Sequence, residues 1–259
     1  MKAWGGTGEA FAASYAQLCL GTADPLIALL GPAQGRTVLD VGAGTGALAA
    51  RFTEAGWDAS GCEPEPSMRA VARREHPDIP IQDGALPDLP FVDAAYDAVT
   101  ANFVLNHVAD PRASAAEMAR VSTDLLAATI WSRSPSWFWI DVCRSAEIEP
   151  AAGERLPEDK DFERTAEGFA ALLSDAGWRD VKVEERAWTW HAEPAALWAS
   201  AEGGVASAGA FYAALAPNDR VRFRAGFDAV CERRVVRGAI PLEHVAAIAV
   251  GRRPGLPSL

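Results

Sequence analysis

The stretch "TVLDVGAGTGALAARF", residues 37–52, constrains the fold of this chain more than any other part of it. A β-branched apolar run ends at Val41, three glycines then alternate with small residues, and a helix-type pattern follows. A glycine-rich turn between a buried strand and a helix N-terminus lets the backbone approach a ligand closely. The stretch therefore predicts the first βα unit of a domain that binds a nucleotide-like cofactor.

Strand and helix patterns alternate after this unit at the spacing of βαβ repeats. The strand patterns lie at residues 57–63, 79–83, 96–102 and 124–130, and the helix patterns at 47–56, 66–76 and 110–121. Such alternation predicts an α/β fold, with a parallel sheet, helices on both faces and right-handed crossovers. Ligands of these sheets bind outside the carboxyl ends of the strands, so polar residues at those ends are candidate site residues.

The second half of the 259-residue chain has longer and less regular connections. Helix patterns at 165–176 and within 193–237 accompany an alternating strand pattern at 181–190 and a last strand pattern at 242–253. We expect one domain over residues 1–259, and its parts are an N-terminal helical segment at 1–35, a cofactor-binding core at 36–130 and two insertions at 131–164 and 191–239.

Composition limits the partners and the location that we expect. The formal net charge of −11 opposes binding to phosphate backbones and to anionic lipid, so no nucleic-acid or membrane partner is expected. Four cysteines form no CxxC pair, and we expect no metal site. No signal-peptide pattern and no apolar run of 18 residues occurs, which predicts a cytoplasmic location. The oligomeric state is left open as monomer or homodimer.

The glycine turn is compatible with two kinds of cofactor. Residues 42–47 satisfy the GxGxxA form of the dinucleotide fingerprint, and Glu63 lies at the usual distance for a ribose contact. Asp40, however, places a carboxylate beside the first glycines, where a pyrophosphate would otherwise bind, and it suits a ligand that carries positive charge. Asp83 and the segment "ANFVLNHV" at the next strand ends add further polar groups suited to a nucleoside.

Four features in order and spacing carry a family resemblance. They are "VLDVGAGTG", the acidic Glu63 after the second strand, "QDGALPDLPF" and "YDAVTANFVLNHVADP". Together they resemble the class I S-adenosylmethionine-dependent methyltransferases, in particular their small-molecule branch, over about residues 36–130. The resemblance implies a Rossmann-like, seven-stranded, mostly parallel sheet. Its last strand, here residues 242–253, would run antiparallel between strands five and six.

S-adenosylmethionine is the cofactor that the resemblance implies. Gly42, Ala43 and Gly44 would let the backbone approach the methionyl part of the cofactor. Asp40 would orient this loop and help to hold the amino-acid end, and Glu63 would bind both ribose hydroxyls.

The same resemblance implies contacts to the rest of the cofactor. These residues are Cys62, Asp83, Gly84, Ala85, Asn102 and Phe103. Cys62 would neighbour the adenosine, the next three would hold the adenine edge, and the last two would lie beside the sulfonium.

Both long insertions are expected to form a helical lid over the site. If the last strand is antiparallel, strand six ends and strand seven begins at the same edge as the cofactor loop, so both connections emerge there. Long connections at such places are commonly functional. Their aromatic residues predict an apolar, partly aromatic acceptor pocket. The candidate acceptor-binding residues are Trp131, Trp137, Trp139 and His191.

Methyl transfer from a sulfonium is an in-line displacement, which requires alignment and exclusion of water rather than a protein nucleophile or a metal. His107 is a candidate base or acceptor-binding residue, or it packs at the start of the next helix. Two other functions stay open at this stage: an NAD(P)-dependent oxidoreductase, and a non-catalytic protein that binds the cofactor. The acceptor, and whether its oxygen, nitrogen or carbon is methylated, is not predicted.

Overall fold

The computed structural model describes residues 4–150 and 156–255. The strands are β1 (Thr37–Val41), β2 (Asp58–Cys62), β3 (Ile81–Gln82), β4 (Tyr96–Asn102), β5 (Ser122–Arg133), β6 (Arg179–Ala192) and β7 (Ile240–Arg252). The helices are α1 (Gly8–Ala12), α2 (Tyr15–Cys19), α3 (Ala23–Leu30), α4 (Ala47–Glu54), α5 (Pro66–Glu75), α6 (Pro111–Val121), α7 (Trp137–Ser145), α8 (Ala166–Asp175), α9 (Pro194–Glu202), α10 (Ala206–Ala214) and α11 (Pro217–Arg234). A 3₁₀ turn, Leu20–Thr22, joins α2 to α3.

The strands form one seven-stranded sheet in the order β3-β2-β1-β4-β5-β7-β6. Neighbouring strands from β3 to β5 are parallel, whereas β7 is antiparallel to both β5 and β6. This arrangement confirms the predicted Rossmann-like sheet with an antiparallel last strand between strands five and six. It also places the start of β7 at the same edge as the carboxyl ends of the other strands.

Each face of the sheet is buried under helices, which is why the central strands are apolar on both sides. One face contributes Leu39 and Val99 to a cluster that also contains Phe169 of α8. The opposite face contributes Val38 and Ile248 to a cluster with residues of α3 and α4. Both faces of the sheet are therefore occupied by packing, which leaves the carboxyl ends of the strands as the place for a ligand.

The fifth strand is longer than its sequence pattern predicted. β5 extends to Arg133, because its backbone pairs with β7 as far as Trp131 opposite Ala246 and Arg133 opposite Val245. Trp131 is thus part of the sheet, and not the first residue of a connection. The expected boundary between a core at 36–130 and an insertion at 131–164 must move to the end of this strand.

The two insertions form one helical body with its own core. Phe138 of α7 packs with Leu197 of α9 and with Phe227 of α11, and the cluster reaches the sheet through Leu242 of β7. Of the predicted parts, residues 1–3 of the N-terminal segment and 151–155 of the first insertion lie outside the described residues. The described parts of the insertions contain helix α7 in the first and helices α9, α10 and α11 in the second, which agrees with the helical insertions of the predicted fold class.

The N-cap of α6 fixes the end of the connection from β4. Asp110 is the N-cap of α6, and Pro111 is its first residue. One carboxylate oxygen of Asp110 accepts a hydrogen bond from the backbone N–H of Ala113 at 3.0 Å, and the other lies 3.2 Å from Nζ of Lys160. A capping oxygen satisfies a backbone donor that the first helical turn leaves unpaired.

We predict that Asp110→Ala lowers the free energy of unfolding by about 1 kcal/mol, because it removes this cap. Asp110→Asn is the matched control, since it keeps a capping oxygen and removes only a half-exposed ion pair, which is worth less than about 1 kcal/mol. Urea denaturation at pH 7 measures both variants. An equal loss in the two variants would assign the stabilisation to Lys160 instead.

Candidate active site

The glycine loop is tied to the end of the second strand. The backbone N–H groups of Gly42 and Ala43 donate to the carbonyl of Cys62 at 2.8 and 3.0 Å. Gly42 and Gly44 have positive φ angles of 68° and 55°, which L side chains rarely adopt. A Cβ added to Gly42 would lie 2.5 Å from Cγ2 of Val104, so a side chain at this position would force the loop to shift.

Two buried carboxylates lie beside this loop. Asp40, near the end of β1, is 2% exposed, and its Oδ1 lies 3.3 Å from the Thr100 hydroxyl that donates to it. Glu63 follows β2, and its Oε2 accepts a hydrogen bond from the backbone N–H of Gly44 at 2.9 Å. Its Oε1 accepts from the backbone N–H of Glu65, also at 2.9 Å. The second carboxylate therefore supports the loop directly.

Burial makes both carboxylates poorly stable as anions. The pKa of Asp40 is raised to about 7, mainly by burial. The hydrogen bond from Thr100 lowers this pKa, and the nearby charge of Glu63 raises it. Burial likewise raises the pKa of Glu63, whereas its backbone hydrogen bonds and Arg69 lower it. A ligand that carries positive charge would stabilise both anions. The site therefore fits the ammonium and sulfonium groups of S-adenosylmethionine.

The predicted adenine side lies at the end of β3. The side chain of Asp83 is 74% exposed and forms an ion pair with Arg69 at 3.1 Å. A Cβ added to Gly84 would lie 2.9 Å from Cδ of Pro90 and 3.2 Å from Cβ of Cys62. Cys62 itself is fully buried in the core, so its side chain supports this surface from beneath. Ala85 is exposed at the adjacent turn.

Asn102 joins three segments of the chain. Its Oδ1 accepts hydrogen bonds from the hydroxyls of Thr22 and Thr129 at 2.8 and 2.6 Å, and its Nδ2 donates to the carbonyl of Cys19 at 3.1 Å. The side-chain amide thus attaches the N-terminal segment to β4 and β5. From the sequence we expected Asn102 only to lie beside the sulfonium. Its hydrogen bonds could not be predicted, because partners that are distant in the sequence, such as Thr22, leave no local pattern.

A row of rings follows Asn102 along the same edge of the sheet. Phe103 stacks on Trp131 with ring centroids 3.7 Å apart, and Trp131 lies 5.5 Å from Trp188 and 5.2 Å from His244. Trp190 lies 6.3 Å from His244. These five residues, which we call the aromatic row, come from the carboxyl ends of β4, β5 and β6 and from the start of β7.

Sequence reasoning named only part of the aromatic row. Phe103 was expected beside the cofactor and Trp131 at the acceptor, but Trp188, Trp190 and His244 were not selected. The spacing of two between the tryptophans indicates a shared strand face. Their partner His244 belongs to a strand more than 50 positions away, and only the pairing of β6 with β7 brings it opposite Trp188.

The other candidate acceptor residues lie elsewhere. Trp139 stacks on Phe223 and Phe227 in the core of the lid helices, and Trp137 lies beneath the guanidinium of Arg234 at 5.0 Å. His191 is exposed, because it follows Trp190 and successive strand residues point to opposite faces. The ring contacts of Trp137 and Trp139 therefore belong to the lid and not to the aromatic row.

The N-terminal segment borders the glycine loop. Trp4 meets the ring of His107 edge-on at 5.4 Å, in the turn that follows β4. Phe11 of α1 lies 3.6 Å from the position of a Cβ added to Gly44. The backbone of Gly6 donates to Glu65 at 3.0 Å, which attaches the segment near Glu63. His107 thus contacts the N-terminal segment, which itself borders the glycine loop.

No helix within residues 4–150 and 156–255 has the length and apolarity needed to cross a bilayer.

Known proteins resemble the chain in sequence. The model of a family described as "Methyltransferase domain" matches residues 39–124. A demethylmenaquinone methyltransferase of Beutenbergia cavernae is 33% identical over 168 residues, which cover 59% of this chain and 69% of that protein.

Solved structures show the same fold over most of the chain. YcgJ of Bacillus subtilis superimposes with a TM-score of 0.55 at 16% identity, and covers 91% of this chain and 99% of its own. Phosphoethanolamine N-methyltransferase 2 of Haemonchus contortus, in complex with phosphomonomethylethanolamine and S-adenosylhomocysteine, has a TM-score of 0.51 at 14% identity. That similarity covers 91% of this chain and 53% of the other.

We predict that Asp40→Asn flattens the pH dependence of stability in the ligand-free protein. Because the pKa of Asp40 is about 7 in the folded protein against its ordinary value of 3.8, the native protein keeps a proton that the unfolded chain releases. The free energy of unfolding therefore falls as pH rises from about 4 to 7. At about 1.4 kcal/mol per pKa unit, removal of this carboxyl should recover roughly 2–4 kcal/mol at pH 8.

Urea denaturation across pH 4–8 measures this effect. Burial also raises the pKa of Glu63, and this residue is kept in the variant. Some fall of the free energy of unfolding with rising pH should therefore persist. Asp58→Asn, an exposed carboxyl at the start of β2, serves as the control and should leave the slope unchanged. Parallel curves for the wild type and Asp40→Asn would show that Asp40 is ionised in the folded protein throughout this range.

Proposed function

The chain belongs to the class I S-adenosylmethionine-dependent methyltransferases, and on that premise we propose that it methylates a small, apolar or aromatic acceptor. The observation that carries this proposal is the aromatic row, which begins at Phe103 beside the glycine loop and continues to His244. Tryptophan and phenylalanine rings favour contact with flat apolar molecules. The relative from Beutenbergia cavernae, whose name specifies demethylmenaquinone, is a protein that acts on a quinone.

The enzyme is an S-adenosylmethionine-dependent methyltransferase, and its cofactor supplies a methyl group on a positively charged sulfur. We assign the amino-acid end to the glycine loop, with Gly42, Ala43 and Gly44 as its backbone contacts. Asp40 would compensate the positive charge of the cofactor from below the loop. Glu63 would accept hydrogen bonds from the ribose hydroxyls, since its carboxylate already lies at the loop through Gly44.

The remaining cofactor contacts follow the strand ends. Asp83 would accept a hydrogen bond from the adenine amino group, with Gly84 and Ala85 along the adenine edge. Asn102 would act mainly through its backbone at the sulfonium, because its amide is already occupied by three protein partners. Phe103 would then be the first aromatic ring that an acceptor meets beyond the methyl group.

The acceptor is proposed to enter between the aromatic row and the lid helices. Once the acceptor is bound, the protein would align its attacking atom with the methyl carbon and the sulfur, and it would exclude water. Trp131 belongs to this surface by its ring contacts, whereas Trp137 and Trp139 would act through the lid. His191 would contact the acceptor from its exposed position at the end of β6. His107 would contact the acceptor or accept a proton near the glycine loop.

Two measurements separate this function from its alternatives. Isothermal titration with S-adenosylhomocysteine and with NAD compares the proposed cofactor class with that of an oxidoreductase, and only the first should bind. Formation of S-adenosylhomocysteine from S-adenosylmethionine in the presence of an acceptor then separates catalysis from cofactor binding alone.

We predict that Glu63→Gln lowers the affinity for S-adenosylhomocysteine by more than tenfold. A carboxylate can accept both ribose hydroxyls, and charge-assisted hydrogen bonds of this kind are the strong ones. The amide keeps one oxygen, which can still accept from the backbone N–H of Gly44 and hold the loop, whereas the hydrogen bond from the backbone N–H of Glu65 is lost. Isothermal titration of the purified variant measures the change.

Glu75→Gln, on the exposed side of α5, is the matched control and should bind S-adenosylhomocysteine as the wild type does. If Glu63→Gln also kept wild-type affinity, the ribose would have to bind elsewhere, and the assignment of the whole cofactor site would be wrong.

A further inference from the structure

We infer that Arg69 is a positioning residue of the cofactor site: it joins the ends of β2 and β3, orients Asp83 for the adenine and places a positive charge beside Glu63 for the ribose. The inference rests on the cofactor contacts of the proposed function and adds one residue to them. It follows from the hydrogen bonds of Arg69, from its burial and from the charges around Glu63.

Arg69 returns to the strand ends because α5 begins directly after β2. Pro66 is the first residue of this helix, and Glu65 caps it by accepting from the backbone N–H of Ser67. The backbone N–H of Arg69 donates to the carbonyl of Glu65 at 3.1 Å, which places this residue one turn into the helix. Its side chain is only 14% exposed, although arginine side chains mostly lie in solvent.

A single guanidinium nitrogen joins the two strand ends. Nη1 of Arg69 donates to the backbone carbonyl of Glu63 and, at 3.1 Å, to Oδ1 of Asp83. This nitrogen carries two hydrogens, so each bond has a donor of its own. β2 and β3 pair at only two positions, the last of them Cys62 with Gln82. Arg69 therefore continues the connection to the next residue of each strand, and these are the residues that we assign to the ribose and the adenine.

The ion pair between Arg69 and Asp83 acts on orientation more than on stability. The side chain of Asp83 is 74% exposed, and ion pairs that water reaches contribute little to the free energy of unfolding. The pair does limit the rotamers of the Asp83 carboxylate, and a group that is oriented before binding spares the ligand the entropic cost of ordering it. Arg69 should therefore affect cofactor affinity more than it affects folding.

The charge of Arg69 favours the ionised form of Glu63. Burial raises the pKa of Glu63, and hydrogen bonds from the backbone of Glu65 and Gly44 lower it. The charge of Arg69 also lowers this pKa, whereas the charge of Glu65 raises it. A carboxylate only accepts hydrogen bonds, so both ribose hydroxyls can donate to it, but a protonated carboxyl has given up part of that capacity.

The other ionisable side chains around Glu63 are acidic. They are Asp40 of β1, Cys62 of β2, Glu65 before α5, Asp83 of β3 and, from the N-terminal segment, Glu9 of α1, which pairs with Arg74. Burial raises the pKa of Cys62 to about 12, so its thiol is neutral at pH 7. Asp40 has a pKa of about 7 and carries a partial negative charge there. Arg69 is therefore the cation that offsets the acidic surroundings of Glu63.

A cation at this place is compatible with a cationic cofactor. Arg69 bonds to the residues assigned to the ribose and the adenine, which are uncharged groups. Asp40, in contrast, lies under the glycine loop that we assign to the amino-acid end. The positive charges of S-adenosylmethionine would thus lie at the acidic end of the site, and its neutral end would lie above the arginine.

Titration of S-adenosylhomocysteine into variants of Arg69 tests the inference. Arg69→Gln removes the charge and the pair of bonds from Nη1. At pH 8, where Glu63 is ionised, we expect about fivefold weaker binding, the usual effect of one lost hydrogen bond. Arg73→Gln, an exposed arginine of the same helix, is the matched control and should bind as the wild type does.

The pH dependence of binding gives a readout that a structural role would not produce. In the wild type, affinity should fall as the pH decreases through the pKa of Glu63, because the carboxylate loses its charge. Arg69→Gln raises that pKa further, so the fall should begin on the order of 0.5 pH unit higher or more, the effect of a nearby unit charge screened as in water. Arg69→Lys keeps the charge and should keep the wild-type midpoint, but its shorter side chain loses the bonds of Nη1 and should weaken binding at pH 8 about as much.

The same substitution in a Glu63→Gln background identifies the titrating group. Asp40 also titrates between pH 5 and 8, and it is kept in every variant. Without the Glu63 carboxylate, Arg69→Gln should leave the midpoint where it was. A shift that persists in this background would belong to Asp40 and would contradict the role of Arg69 at Glu63.

Every result of these titrations decides a separate point. Wild-type affinity, or an unshifted midpoint, in Arg69→Gln would overturn the inference, but the proposed function would stand if Glu63→Gln still bound weakly. Thermal unfolding shows whether each variant folds. If Arg69→Gln does not fold, Arg69→Lys at pH 8 decides alone, and wild-type affinity there contradicts the inference. Failure of the wild type itself to bind S-adenosylhomocysteine would count against the cofactor site as a whole.

Discussion

The pairing of β7 with both β5 and β6 is the constraint on which the rest of the structure depends. Because this strand is antiparallel to its two neighbours, it starts at the edge where they end. The second insertion therefore leaves and re-enters the sheet at one edge, the edge at which the first insertion also leaves β5, and the helices of both share one core. The same ladder places His244 opposite Trp188 and brings Ala246 opposite Trp131. Without it, the aromatic row would be four unrelated stretches of sequence.

The glycine loop and the aromatic row meet at the ends of the central strands, and their chemistry differs. At β1 and β2, burial destabilises the charges of Asp40 and Glu63, so this half of the site favours a cationic ligand. At β5, β6 and β7, the rings surround a buried histidine and favour a flat apolar molecule. Asn102 lies between these two halves of the site. Its side chain attaches the N-terminal segment to β4 and β5. This division suits the proposed function, in which a charged donor and an uncharged acceptor bind in line.

Much of the cofactor half could be predicted from the sequence because its determinants are local. A glycine turn needs particular φ angles, a strand end needs a polar residue, and helix α6 needs its capping Asp110; each leaves a mark within a few positions. The acceptor half was harder to predict. Trp131 was taken for the start of a connection, since the backbone partners that extend β5 to Arg133 lie in a strand more than 100 residues later. Trp137 and Trp139 were equally aromatic, but their ring contacts belong to the lid.

The sequence by itself therefore determined the α/β architecture, the family and the type of cofactor, because each depends on periodicity or on motifs of adjacent residues. Only the tertiary structure decided which aromatic residues share a surface and which histidine lies among them. The physical reason is the range of the interactions involved. Backbone conformation is set by neighbours along the chain, whereas the position of His244 depends on hydrogen bonds between strands and on ring packing across the end of the sheet.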